Sequence, residues 1–557
     1  MSILTSKKEQ LSLEIVKVLK QAQAEGQLNF TELPDFTVEV PREKEHGDFA
    51  TNVAMLLSKE NRKAPREIAQ IITEHFVNVQ DWLEKIEIAG AGFINFYLGT
   101  AWLYQVLPQV INEDERYGCS NFGGGQRVQV EFVSANPTGL LHMGNARGAA
   151  LGDTLCNVLA AAGYKVTREF YINDAGNQIE NFGKSLEARY LQLLGHDVVF
   201  PEEGYHGADL IETVKNIIAE VGDKYLGVEA TLRREFLIQK ALQEKLSNIK
   251  KDLARFGVEY DVWFSEQSLH DSGAIAQTIQ ELQQKGLVYE KEGALWLKTT
   301  EFGEEKDEVL LRSNGLATYF AADIAYHQNK FKRGFEKVIN IWGADHHGHV
   351  ARMKGAMQAL GYAPEDLHVI LMQLVRLLRG GEIARMSKRS GQYITLSELI
   401  DEVGRDAARF FFVMRSPDSH LDFDLDLAKT ETADNPVYYV QYAHARINSI
   451  LLASTEEPVA SQEVDFTLLK ETEEIALIRK IAEFPDEIVG AAVNYEPHHL
   501  THYAHELASL FHSFYNSCRV LTDDAALRQA RLFLVDAARI TLRNVLLLLG
   551  VNAPEKM

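Results

Sequence analysis

From about residue 128 to about residue 415, short apolar runs alternate with stretches of helical period, and after about Asn435 the pattern gives way to long amphipathic helices. That change of rhythm limits the possible folds more than any other feature. Parallel neighbours need a crossover of about a dozen residues, commonly a helix, and the helical stretches between these runs can supply one. The runs 128–133, 166–172, 338–342 and 369–371 therefore predict a parallel, doubly wound sheet. Upstream, the first ~115 residues read as helix, loop, helix and short strands, with 84–98 (EKIEIAGAGFINFYL) alternating as a strand pair around Gly90 and Gly92. The glycine-rich stretch 118–125 precedes a strand instead of following one, so it is a linker and not a dinucleotide fingerprint. The expected fold class is α/β: a Rossmann-type parallel-sheet domain with insertions (118–430), a small α/β N-terminal domain (1–117) and an all-helical C-terminal domain (431–557). A length of 557 residues also exceeds what one hydrophobic core usually supports.

Composition narrows the class. A net charge of −22 excludes a protein that coats nucleic acid non-specifically, since that mode relies on broad phosphate neutralisation. Local basic runs remain, such as Lys59, Arg62, Lys63 and Arg66, or Lys330, Lys332, Arg333 and Lys337, and such runs are usually solvated faces. Cys119, Cys156 and Cys518 are widely spaced with no CxxC pair, which removes a disulfide framework and a thiolate zinc site. The opening MSILTSKKEQ interleaves charge with apolar residues, and no run approaches the ~20 apolar residues of a membrane span. A soluble, cytoplasmic protein without a membrane partner is expected.

Two stretches carry chemistry. In 131–147 (EFVSANPTGLLHMGNAR) a strand, a loop and a helix start follow in order. A helix N-terminus presents unpaired N–H groups to an anion, so His142, Gly144 and Asn145 sit where a nucleotide triphosphate could be held. Taken alone this is also an ordinary βα turn with Asn145 as N-cap and a helix from about Ala146. About 240 residues on, 380–391 (GGEIARMSKRSG) forms a cationic loop with Arg385, Met386, Ser387, Lys388 and Arg389. Cations closing over a leaving pyrophosphate stabilise the transition state more than the ground state. No GxxxxGK[ST] occurs, so these two sites must supply the phosphate grip if ATP is used.

In this order, on an α/β core, the pair resembles the HIGH and KMSKS signatures of class I aminoacyl-tRNA synthetases. SANPTGLLHMGNARGA resembles the arginyl-tRNA synthetase form of the first. TYFAADIAYH (318–327), WGADHHGHV (342–350), NPVYYVQYAHARI (435–447), EHGDFATNVA (45–54) and GAGFINFYL (90–98) match the same family, so the resemblance spans nearly the whole chain. It implies an arginine–tRNA ligase using ATP with Mg2+, binding arginine and its tRNA, and expected here as a monomer. Carried over, His142, Asn145, Arg385 and Lys388 would be catalytic. His142, Gly144, Asn145, Gly343, Asp345, His346, Met386, Ser387 and Lys388 would face ATP. Glu131, Asn136, His142, Tyr319, Asp323 and His347 would meet the arginine, Asn136 at its main-chain end. The resemblance also implies adenylate formation only with tRNA bound, and an anticodon-binding role for the helical domain, where Tyr438, Tyr439, Tyr442 and Arg446 suit unstacked bases.

The residues add an independent argument for arginine. A guanidinium presents five fixed donors and is best read by a carboxylate, and Asp323 stands in an otherwise apolar AADIA context, one helical turn from Tyr319. Against the general class pattern, Asn145 replaces the second histidine of HIGH and Arg385 the first lysine of KMSKS; both keep a donor. His498, His499, His502 and His505 fall at near-helical spacing but offer one face only and are read as no metal site; the pattern around them, Leu500, Tyr503, Leu507, Leu510, Phe511 and Phe514, is read as a packed helix face. Rival readings are a class I synthetase for another amino acid, which should show cations where Asp323 stands or a cysteine set, and a small HxGH nucleotidyltransferase, which needs no long helical domain. A catalytically inactive RNA-binding relative is opposed by intact His142 and Lys388.

Overall fold

The computed structural model describes residues 2–41, 43–76, 82–383, 394–454 and 460–557. Its centre is a five-stranded sheet of β1 (Arg127–Glu131), β2 (Lys165–Ile172), β3 (Val262–Ser265), β4 (Lys337–Gly343) and β5 (Leu367–Met372), every pairing parallel. The order β3-β2-β1-β4-β5 reverses direction between β1 and β4. In open α/β sheets ligands bind at the carboxyl ends of the strands beside such a reversal. The four predicted runs are strands here. The edge strand β3 was missed because VWFS is only four residues, too short to show a period.

Helices α1 (Met143–Ala161), α2 (Tyr319–Lys332) and α3 (His347–Leu360) join or follow these strands. Helix α1 begins at Met143, earlier than the predicted start near Ala146, because His142 and not Asn145 is its N-cap. It lies so close to the β1 exit that a Cβ on Gly152 would fall 2.2 Å from the ring of buried Phe132, so only glycine fits that contact. Two insertions leave the sheet. One is helical (Gly176–Leu193, Ala208–Val221, Ala230–Arg255) with a separate core around Phe182, Tyr190 and Leu237. The other is an antiparallel sheet of Val288–Lys291, Ala294–Leu297 and Glu308–Leu311.

The N-terminal domain carries the expected pair, Leu83–Ala89 against Phe93–Leu98, extended by Phe49–Thr51 and Val38–Glu39 into a four-stranded sheet. The C-terminal domain is the expected helical bundle, with long helices Pro436–Ala453, Thr472–Asn494, His499–Ser517 and Ala525–Leu548. The two ends of the chain pack together. Asp48 of the GDF turn is buried, accepts the Leu98 N–H at 2.7 Å and pairs with Arg479, while Asp486 accepts the Ser2 and Thr5 hydroxyls at 2.7 Å each. Among the described residues, no helix is long and apolar enough to cross a membrane.

Candidate active site

The first motif sits at the reversal between β1 and β4. The His142 Nδ1 accepts the Gly144 N–H at 3.1 Å, and the Asn145 Oδ1 accepts the His142 N–H at 3.0 Å, closing a capping box over the start of α1. With Nδ1 as acceptor, the proton of a neutral ring is on Nε2. Arg147, fully buried in the second turn, anchors the helix by donating to the carbonyls of Gln373, Ser416 and Ser419 at 2.8–3.0 Å. The helix end is thereby a fixed set of donors beside the sheet edge.

Arg385, Met386, Ser387 and Lys388 lie within 384–393, outside the described residues. Their C-terminal flank is described and is tied to the first motif: Thr395 forms an isolated bridge with His142, and the Leu396 N–H donates to the Leu141 carbonyl at 2.9 Å. The described residues that follow the second motif in sequence therefore pack against the first motif.

At the exit of β1 the backbone is strained. Val133 and Ser134 have φ of 68° and 39°, a left-handed region that a β-branched residue such as valine seldom enters and that costs of order 1–3 kcal/mol. The turn holds the Ser134 hydroxyl, which donates to Glu131 Oε1 at 2.8 Å and accepts the Tyr171 N–H at 3.1 Å. Glu131 Oε2 accepts from Lys330 Nζ at 2.6 Å, so both its carboxylate oxygens are engaged. The register explains the next link. Asn340 on β4 is the partner of Glu131 on β1, and Lys330 reaches its Oδ1 at 2.8 Å. Asn340 Nδ2 donates to His327 Nε2 at 2.6 Å, and His327 Nδ1 donates to the Asp323 carbonyl at 2.8 Å. Burial, then the Lys330 charge, holds His327 well below its usual range, consistent with that neutral tautomer. On β2, Glu169 pairs with Arg333 and accepts the Tyr326 hydroxyl at 2.7 Å. The run Lys330–Lys337 is therefore not simply a solvated face: Lys330 is fully buried and Arg333 neutralises a buried carboxylate.

Tyr319 and Asp323 occupy the first and second turns of α2, Tyr319 half exposed and the Asp323 side chain 35% exposed, open enough to meet a ligand. Sequence reasoning missed the carboxyl beside them. Glu266, the residue following β3, is buried, and its pKa is pushed up to about 7 by that burial, opposed by a hydrogen bond from Tyr171 and reinforced by the charges of Asp323 and Asp174. Burial, and then Glu266 and Asp323, raise the Tyr171 hydroxyl as well. The Asp323 charge thus acts on the Glu266 carboxyl, and His270 Nε2 lies 3.8 Å from Glu266 Oε1. Gly343 ends β4, Asp345, His346 and His347 are exposed around the turn into α3, and Asn136 is exposed in the β1–α1 loop. In the helical domain Tyr438 and Tyr442 are stacked with ring centroids 6.2 Å apart, Tyr439 stacks on His505, and Arg446 lies over Tyr515 at 4.8 Å.

Three family models tile the chain: the arginyl tRNA synthetase N-terminal domain at 9–98, the catalytic domain of class I (R) tRNA synthetases at 106–451, and the DALR anticodon-binding domain at 440–557. The chain is 64% identical over 564 residues to an arginine–tRNA ligase of Heliobacterium modesticaldum and 62% identical over 560 residues to that of Moorella thermoacetica, covering 100% of each chain. Among solved structures it is similar to a Campylobacter jejuni structure described as an arginyl-tRNA synthetase, with TM-score 0.76, 34% identity and 83% of this chain covered (100% of that one). The Thermus thermophilus arginyl-tRNA synthetase shares the fold, with TM-score 0.75 at 24% identity over 99% of this chain and 100% of the other.

Proposed function

Since this chain belongs to the arginyl-tRNA synthetase family and is an arginine–tRNA ligase of class I, we propose that its acidic pocket of Asp323 and Glu266 selects arginine while the His142 helix end and the Lys388 loop act on ATP. The observation that carries this reading is that Asp323, partly exposed on α2, lies close enough to the buried Glu266 for its charge to add to the burial that pushes that carboxyl up to about 7. The arginine carboxylate attacks the α-phosphate of ATP, pyrophosphate leaves, and a ribose hydroxyl at the tRNA 3′ end then attacks the adenylate carbonyl, releasing AMP. No covalent enzyme intermediate is needed; positioning and charge stabilisation do the work.

His142, Gly144, Asn145, Gly343, Asp345, His346, Met386, Ser387 and Lys388 are assigned to ATP, with Arg385 beside them and magnesium entering as part of the ATP substrate. Asn136, Tyr319, Asp323 and His347 are assigned to arginine. Glu131 acts there through Ser134, a role supported by its engagement with Lys330. The stacked tyrosines of the helical domain support anticodon contact, since aromatic faces bind unstacked bases. The working form is a monomer in the cytoplasm with domain boundaries near 117 and 430.

Glu266 makes arginine use depend on pH. A carboxyl with a pKa of about 7 is neutral below that value and cannot pair ionically with a guanidinium, so kcat/KM for arginine should level off above that pH and, as pH drops, fall through an inflection near pH 7 to a lower plateau held up by Asp323. Glu266→Gln should erase that inflection. A pH–rate profile of both proteins decides it, and an identical inflection in the variant would clear Glu266 of the role.

The tRNA dependence is tested by pyrophosphate exchange. With tRNA present, arginine alone among the amino acids should support exchange; without it exchange should be nearly absent, because tRNA binding completes the site by induced fit. Robust exchange with arginine and ATP alone would contradict this dependence.

A further inference from the structure

We propose that His349 is a positioning residue that orients the Asp323 carboxylate for the substrate guanidinium; the proposal rests on the reading that Asp323 binds that group. His349 is the third residue of α3, in the WGADHHGHV stretch, and its Nε2 lies 3.0 Å from Asp323 Oδ2 across the gap between α3 and α2. Its Nδ1 lies 2.9 Å from Arg352 Nε, one turn further along α3. Arginine has donors only, so Nδ1 is the acceptor and the ring proton sits on Nε2, aimed at the carboxylate. Arg352 in turn donates to Glu308 Oε1 at 3.3 Å, on a strand of the antiparallel insertion. Asp323, His349, Arg352 and Glu308 form one directed chain of hydrogen bonds.

The ring is held as well as bonded. Its centroid is 5.4 Å from Trp342 and 5.9 Å from Phe320, and the side chain is only 16% exposed against 35% for Asp323. A half-exposed carboxylate otherwise rotates freely about its broad terminal torsion. Fixing Oδ2 leaves Oδ1 as the oxygen for the ligand, and among the described residues no hydrogen bond falls on it. The type of partner matters too. A lysine or arginine on Asp323 would orient it while cancelling its charge, whereas a histidine with one proton orients it and leaves the anion for the substrate cation. The Arg352 charge is met by Glu308 and stays one residue removed.

The test uses the full-length enzyme with saturating tRNA. His349→Phe keeps an aromatic ring against Trp342 and Phe320 but loses the donor; His349→Gln restores a donor near the Nε2 position. We expect the KM for arginine to rise about tenfold in His349→Phe, the effect of losing one hydrogen bond to a charged group, with kcat and the KM for ATP within about twofold. His349→Gln should recover to within about threefold of wild type. In an Asp323→Asn background His349→Phe should add nothing further. An unchanged arginine KM in His349→Phe, with Asp323→Asn alone still impaired, overturns this inference and spares the pocket. Loss of ATP affinity in parallel, or a His349→Phe effect that persists in the Asp323→Asn background, indicates a general packing role and overturns it also. Normal arginine use by Asp323→Asn alone overturns the pocket reading itself.

Discussion

Asp323→Asn is expected to lower kcat/KM for arginine by roughly 30- to 3,000-fold, because removing one partner of a charged, hydrogen-bonded pair in a partly desolvated pocket costs ~2–5 kcal/mol and ~1.4 kcal/mol is tenfold. Asparagine keeps the shape of the side chain and can still accept from His349. What it loses is the charge. With Glu266 still present as a second carboxyl near the guanidinium, the fall should lie in KM more than in kcat. The KM for ATP should stay within about twofold, since His142 caps α1 while Asp323 stands on α2, a different element. Steady-state charging at saturating tRNA measures all of these quantities.

Lys388→Ala is expected to slow arginine activation by about 10²- to 10³-fold with little change in the KM for arginine, the size of effect seen when one transition-state donor is deleted. Charge builds on pyrophosphate as it leaves, so a cation there stabilises the transition state more than the bound ATP. The bridge from Thr395 to His142 supports this, since it ties the loop's flank to the helix end that is assigned to ATP. Single-turnover measurement of adenylate formation with tRNA bound separates the step from product release. An unchanged rate would remove Lys388 from the mechanism.

The sequence made the architecture legible wherever a period was long enough to see. Strands β1, β2, β4 and β5 and the four long C-terminal helices announce themselves by apolar runs and helical spacing. The edge strand β3 is four residues of mixed polarity, and overlooking it also hid Glu266, which follows its last residue as Ser134 follows the β1 exit. Lys330 and Arg333 were read among surface charges because a basic run looks alike whether solvated or buried; only the parallel register, which sets Glu131, Asn340 and Glu169 side by side, reveals what they neutralise. The true N-cap, His142, was obscured because Asn145 is the commoner capping residue, and the two reciprocate. His349 carried no local signal, since its partner Asp323 lies 26 positions away on another helix.

The central claim is that a carboxylate pocket reads the charge of the substrate, and the most direct measurement is discrimination between arginine and citrulline, its uncharged near-isostere. Both would be assayed by tRNA-saturated pyrophosphate exchange, citrulline as substrate and as competitor, in wild type and in Asp323→Asn. The account predicts that wild type strongly prefers arginine and that Asp323→Asn reduces this preference by roughly 30-fold or more, almost wholly through weaker use of arginine. A variant that discriminates as sharply as wild type would show that the guanidinium is read elsewhere and that Asp323 is a surface residue of its helix.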